Sequence, residues 1–244
     1  MENYFSGVPL WGSLLFIVSF LLSLGMIGRP AKQAALNAGL TMQRSKNIQT
    51  GVLLFYVLWL AYASVLALTG TLYRNTLPPR VFVFTSLPLF VILFGFIGNT
   101  RLFRQLLRTV PLESLVFMHV FRFVGVFFLL PYFYKLLPPA FAISDAVGDM
   151  TTAFFAIPVA RAVAQKKSWA TKAVIAWNIF GMLDIVSALT LATVGAIQST
   201  GAGVTGGGEM TLFPFVWFPA FAPATILFCM WRCSGSCGKP LPLL

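Results

Sequence analysis

The chain has one histidine, six acidic residues and three cysteines among 244 residues, and charged residues make up only 9% of it. Soluble domains carry about 25% charge, so this scarcity leaves no room for one. A catalytic zinc site usually takes two or three histidines, which a chain holding only His119 does not supply. No lysine falls in the core of an apolar segment, which argues against a retinal Schiff base. No serine sits in a nucleophile elbow. The Gly-rich run 200–209 lacks the Lys-Ser/Thr ending of a phosphate-cradling loop and reads as a flexible connection. Cys229, Cys233 and Cys237 are spaced C-x3-C-x3-C, which matches no standard finger or cluster, and they read as packing or idle thiols.

What the chain has in abundance is apolar length. Hydrophobic residues make up 58% of it, with 25 phenylalanines. About 20 apolar residues cross ~30 Å of hydrocarbon, and in lipid only internally hydrogen-bonded structure is tolerated. The sequence predicts an all-α integral membrane protein, a single transmembrane domain of seven helices. The spans are expected at residues 10–28, 50–72, 81–98, 112–134, 140–160, 173–197 and 212–232. The first is expected to stay in place rather than be cleaved, since Glu2 precedes it and no Lys or Arg does. The polar connection 30–49 is expected to form a short interfacial helix. In the seventh span Pro214, Pro219 and Pro223 alternate with Phe213, Phe215, Trp217, Phe218 and Phe221. An aromatic belt with a bent outer end is expected there, a gate or pocket wall being the alternative.

Lys and Arg divide unequally between the two sides. The first, third and fifth connections and the tail carry 13 of them, the other side carries three, and Arg122 is the seventeenth. Such asymmetry places the richer side in the cytoplasm, the N-terminus outside and the C-terminus inside. The net charge of +11 is thus mainly a topology signal. A nucleic-acid partner would need a basic face on a soluble module, so none is expected. The partners expected are the bilayer itself and anionic lipid on the cytoplasmic face.

Against this apolar background the charges inside the spans stand out. Arg122, Asp149 and Asp184 fall near the midpoints of the fourth, fifth and sixth spans. Charge at that depth is costly and usually faces a partner or a cavity. At 1.5 Å per residue, His119 lies ~4.5 Å from Arg122 toward the cytoplasm, Asn178 ~9 Å from Asp184 in the same direction, and Asp145 ~6 Å from Asp149 toward the outside. His119, Arg122 and Gly125 share one face, and Asp145, Gly148, Asp149, Thr152 and Ala156 form another polar, small-residue stripe. Arg122 is expected to face Asp149, with Asp184 closing the site. One Arg against two Asp leaves a negative charge, so either one carboxyl is protonated or a cation is bound.

Three functions fit that cluster. The leading expectation is binding or transport of a proton or cationic solute, with Arg122, Asp149, Asp184, His119, Asn178 and Asp145 as the binding residues and no cofactor, metal or catalytic residue. The second is a metal-dependent enzyme acting on a lipid-borne substrate, with Asp145, Asp149 and Asp184 about the metal. The third is a structural or assembly subunit held by a buried salt bridge.

Four segments, Arg122-x2-Gly125, Leu137-Pro138-Pro139-Ala140-Phe141-Ala142, Gly148-Asp149 and Trp177-Asn178-x2-Gly181-x2-Asp184, resemble those of a group of uncharacterised small multi-pass bacterial membrane proteins. The resemblance covers roughly spans four to six. Asp145 departs from it, a small residue being expected there. It brings no activity with it and implies a bacterial inner-membrane setting.

Overall fold

The computed structural model describes residues 4–201 and 208–237, with the side chains of residue 200 and residues 234–237 left aside. Every element of regular length is helical: α1 Leu10–Asn37, α2 Met42–Leu68, α3 Phe82–Asn99, α4 Arg101–Thr109, α5 Leu112–Phe133, α6 Pro139–Ala164, α7 Ala170–Gly201 and α8 Trp217–Cys237. Six of them (α1, α2, α3, α5, α6 and α7) are long and apolar enough to cross a membrane. The chain has the architecture of an all-α integral membrane protein.

Local chemistry sets the ends. Thr41 and Thr100 cap α2 and α4 by accepting from the Arg44 and Phe103 amides. Gly39 and Gly70 close α1 and α2 at φ 78° and 71°, where glycine meets no steric penalty. The Leu40 amide then reaches the Ala35 carbonyl at 3.0 Å, and the Thr71 amide the Leu66 carbonyl at 3.1 Å, closing wide turns over the helix ends.

Two expectations need correction. Residues 30–49 form no separate interfacial helix: Pro30 lies inside α1, which runs on to Asn37, and α2 already begins at Met42. A short separate helix occurs later, as α4. Its Arg101, Arg104 and Arg108 point outward while Leu106 is buried against Ala34 and Ala35. The aromatics before and inside α8 form no belt either. Phe215, Trp217, Phe218 and Phe221 are buried at the centre of the bundle, and Phe16 of α1 stacks on Phe215 at 4.8 Å between centroids. Burial wins because α8 is surrounded by α2, α3, α5 and α7 rather than lying at the lipid boundary. The Gly-rich run 200–209 falls mostly outside the described residues.

Proline within these helices removes an amide from the ladder and releases the carbonyl four residues back. Neighbouring helices repair the gap. Pro223 releases the Pro219 carbonyl, which accepts from the Ser86 hydroxyl at 2.5 Å. In the wider-wound turn before Pro88, the Phe84 carbonyl accepts from the Tyr62 hydroxyl at 3.2 Å. These bonds tie α3 to α2 and α8. The exposed surface of α7 carries Ile179, Leu183 and Val186, and its exposed Thr190 and Thr193 hydroxyls bond back to Val186 and Leu189 carbonyls of the same helix.

One end of the bundle is tied by the chain's beginning. The Ser6 amide donates to the Phe213 carbonyl at 2.8 Å, the Phe213 amide donates to the Tyr4 carbonyl at 3.1 Å, and the Ser6 hydroxyl donates to the buried Glu209 carboxylate.

Candidate functional site

Arg122 sits on a stretch of α5 wound more tightly than an α-helix, the 3-10 segment Met118–Phe128. Three residues per turn stack positions three apart directly above one another. His119, Arg122, Gly125 and Phe128 therefore form one straight, wholly buried row. At about 2.0 Å per residue, His119 lies ~6 Å along the axis from Arg122, farther than α-helical spacing gives.

The guanidinium is completely enclosed. Its Nε donates to Asp149 Oδ1 at 2.6 Å, Nη2 pairs with Asp184 Oδ2, and Nη1 donates to the Gly181 carbonyl at 3.4 Å. α5, α6 and α7 thus each bring one member of an ion triad. The Asp149 and Asp184 side chains retain 11% and 9% of their exposure while Arg122 retains none.

Three glycines make room for this. A Cβ on Gly125 would strike Asp149, one on Gly148 would strike Asp184, and one on Gly181 would meet Met230 and come within 3.1 Å of Arg122 Nη1. Each of the three helices therefore contributes a glycine as well as a charge, and the close approach depends on both.

Asp145 and His119 flank the triad. Asp145 is 4% exposed and its Oδ1 has no hydrogen-bond partner. On the other side His119 is fully buried with neither ring nitrogen bonded, its ring edge-on to Trp177 at 5.1 Å. The Trp177 indole donates to the Thr152 carbonyl and Asn178 donates to the Met230 carbonyl, both at 2.9 Å. Asn178 thus ties α7 to α8.

A cavity of about 280 Å³ reaches this cluster from the end of the bundle that carries the N-terminal segment. Asp145, Asp149 and Asp184 lie at its deep end, and Phe128, Phe141, Ile185, Leu189, Phe218 and Ala222 line its walls. Arg74 and Arg80 line it toward the mouth, and the buried Glu209 also borders it. The pocket-wall alternative for the Pro- and Phe-rich last span fits this space, since Phe218, Pro219 and Pro223 line it. The space exists because Pro219 and Pro223 of α8 and the small face of α7 (Ala188, Ala192, Gly195) present little side-chain volume to one another.

The family model Domain of unknown function (DUF8737) matches residues 78–231, from just before α3 almost to the end of α8. The chain belongs to this family. The DUF8737 segment holds every member of the triad, the three glycines, Asp145 and His119, and its description names no activity. No curated protein and no solved structure matches the chain.

Proposed function

We propose that the protein binds or transports a proton or a cationic solute in a bacterial inner membrane, using the Arg122, Asp149 and Asp184 cluster. The observation that carries this reading is the cavity, whose deep end is formed by three carboxylates. A purely structural ion pair has no need of an approach from the surface. Among the described residues Arg122 is the one cation bonded to those carboxylates, which leaves uncompensated negative charge that a proton or cation relieves.

Seven crossings complete the proposal. α8 has 21 residues, about 31 Å at helical rise, and runs through the bundle centre. With the basic side in the cytoplasm, the N-terminus and the cavity mouth face outside, and α4 lies on the cytoplasmic surface with its arginines toward anionic lipid. Asp149 or Asp184 takes up the cation while Arg122, by exchanging partners, sets how readily it does so.

A second reading is favoured by one observation: the Arg122 side chain has no exposure and each of its three guanidinium nitrogens makes a bond. In that reading the triad only holds α5, α6 and α7 together. For a metal-dependent enzyme, no group of three or more His, Cys, Asp and Glu among the described residues is placed to hold an ion.

The test is reconstitution into vesicles with a pH-sensitive dye inside and an imposed membrane potential. Asp149→Asn and Asp184→Asn should each abolish cation-coupled uptake while leaving the protein folded. Folded variants that behave as wild type, or loss of folding in both, would favour the structural reading.

A further inference from the structure

We infer that the cavity is a binding site for an organic amine with an apolar body, entering from the mouth and lodging its ammonium group against Asp145. The inference rests on the cation-binding reading above and names the class of solute.

The three carboxylates are not equivalent. Asp149 and Asp184 are each engaged by Arg122, whereas Asp145 forms no bridge to it and keeps a buried oxygen without a donor. A buried carboxylate oxygen in that state is costly, and a donor arriving from the cavity relieves the cost. Asp145 borders that cavity, so a cation entering it meets a carboxylate that no bridge to Arg122 neutralises.

The walls decide what kind of donor. A bare metal cation takes about six oxygen ligands, and above Asp145 the lining turns to Phe141, Ile185, Leu189 and Phe218. An ammonium on an apolar body has the matching shape. Its head needs one or two acceptors, its body removes apolar wall from water, and phenyl rings attract its charge. The volume of about 280 Å³ suits one small molecule rather than a polymer.

The probe is labelled phenethylammonium, measured by equilibrium dialysis against the full-length protein in phosphatidylcholine nanodiscs, with empty nanodiscs subtracted. 2-Phenylethanol and phenylacetate serve as neutral and anionic competitors of similar shape. Saturable binding of the amine that neither competitor displaces is expected, and Asp145→Asn should weaken it by roughly 30-fold, as loss of a buried charge partner does. Leu189→Trp, which fills the cavity without touching a carboxylate, should abolish binding and serves alone where Asp145→Asn fails to fold. Unchanged binding in Asp145→Asn, with uptake still lost in Asp149→Asn and Asp184→Asn, would overturn the inference and leave the broader reading standing. Absence of amine binding together with unchanged uptake in those two variants would overturn both. Equal displacement by 2-phenylethanol, or a co-purified lipid that Leu189→Trp releases, would show an apolar tail site and overturn the amine.

Discussion

Gly148 of α6 lies directly against the Asp184 carboxylate of α7, so closely that a Cβ built on the glycine would overlap a carboxylate oxygen. The contact locks two helices at the depth where Arg122 meets both acids. Gly148→Ala is expected to destabilise the protein by about 1–3 kcal/mol, the usual cost of overpacking. Adding Asp184→Ala should recover part of that loss, because the two changes share one contact. Melting of the two single variants and the double variant checks this, and strict additivity would mean that the contact does not couple the helices.

Arg122 is the next case. Arg122→Met leaves two carboxylates facing each other without their cation, expected to cost about 3–5 kcal/mol. Combining it with Asp149→Asn and Asp184→Asn should restore much of the stability, since a neutral triad carries no buried charge. Thermal melts in nanodiscs decide it.

Glu209 gives the account a pH dependence outside the spans. Burial pushes its carboxyl above the ordinary value of 4.5, against the opposing pull of the Ser6 hydroxyl and the Gly7 backbone. An acid raised in the folded state contributes stability that is complete below about 4.5 and is lost as pH rises through the raised value. The folded state should therefore lose stability as pH rises from 4.5 upward, because the cost of burying the ionised carboxylate outweighs its bonds to Ser6 and Gly7. Glu209→Gln should flatten this part of the melting-temperature profile, and an unchanged slope would assign it to another group.

Topology is open to direct labelling. In a background with Cys229, Cys233 and Cys237 replaced, Lys135→Cys should react with an impermeant thiol reagent added outside, and Lys166→Cys only with reagent added inside. The reverse pattern would invert the proposed orientation.

Much of this arrangement is legible in the sequence, because lipid removes most alternatives. Apolar runs mark α1, α2, α3, α5, α6 and α7, and an Arg at mid-span with an Asp on the next helix points to the Arg122–Asp149 contact. The Gly125, Gly148 and Gly181 positions mark close approach. What the sequence hides depends on tertiary context. The tight winding of Met118–Phe128 has no signature in that run of apolar residues, and it is what aligns His119, Arg122 and Gly125 in a straight row. The continuation of α1 through Pro30 depends on packing, since Pro30 itself is buried. The cavity is a sum of small residues and prolines on helices far apart in sequence, so no local pattern records it whole. Asp145 reads in the sequence as a member of the binding cluster, but not as the acid that borders the cavity without a bridge to Arg122.

The most direct measurement concerns whether the mid-membrane carboxylates are reached from one side. Asp145→Cys, in the background lacking the other three cysteines, would be exposed to an impermeant cationic thiol reagent in right-side-out and in inverted vesicles. The account predicts labelling from the outside, absent from the inside and lost when Leu189→Trp fills the cavity. Labelling from the inside only, or from neither side, would contradict it.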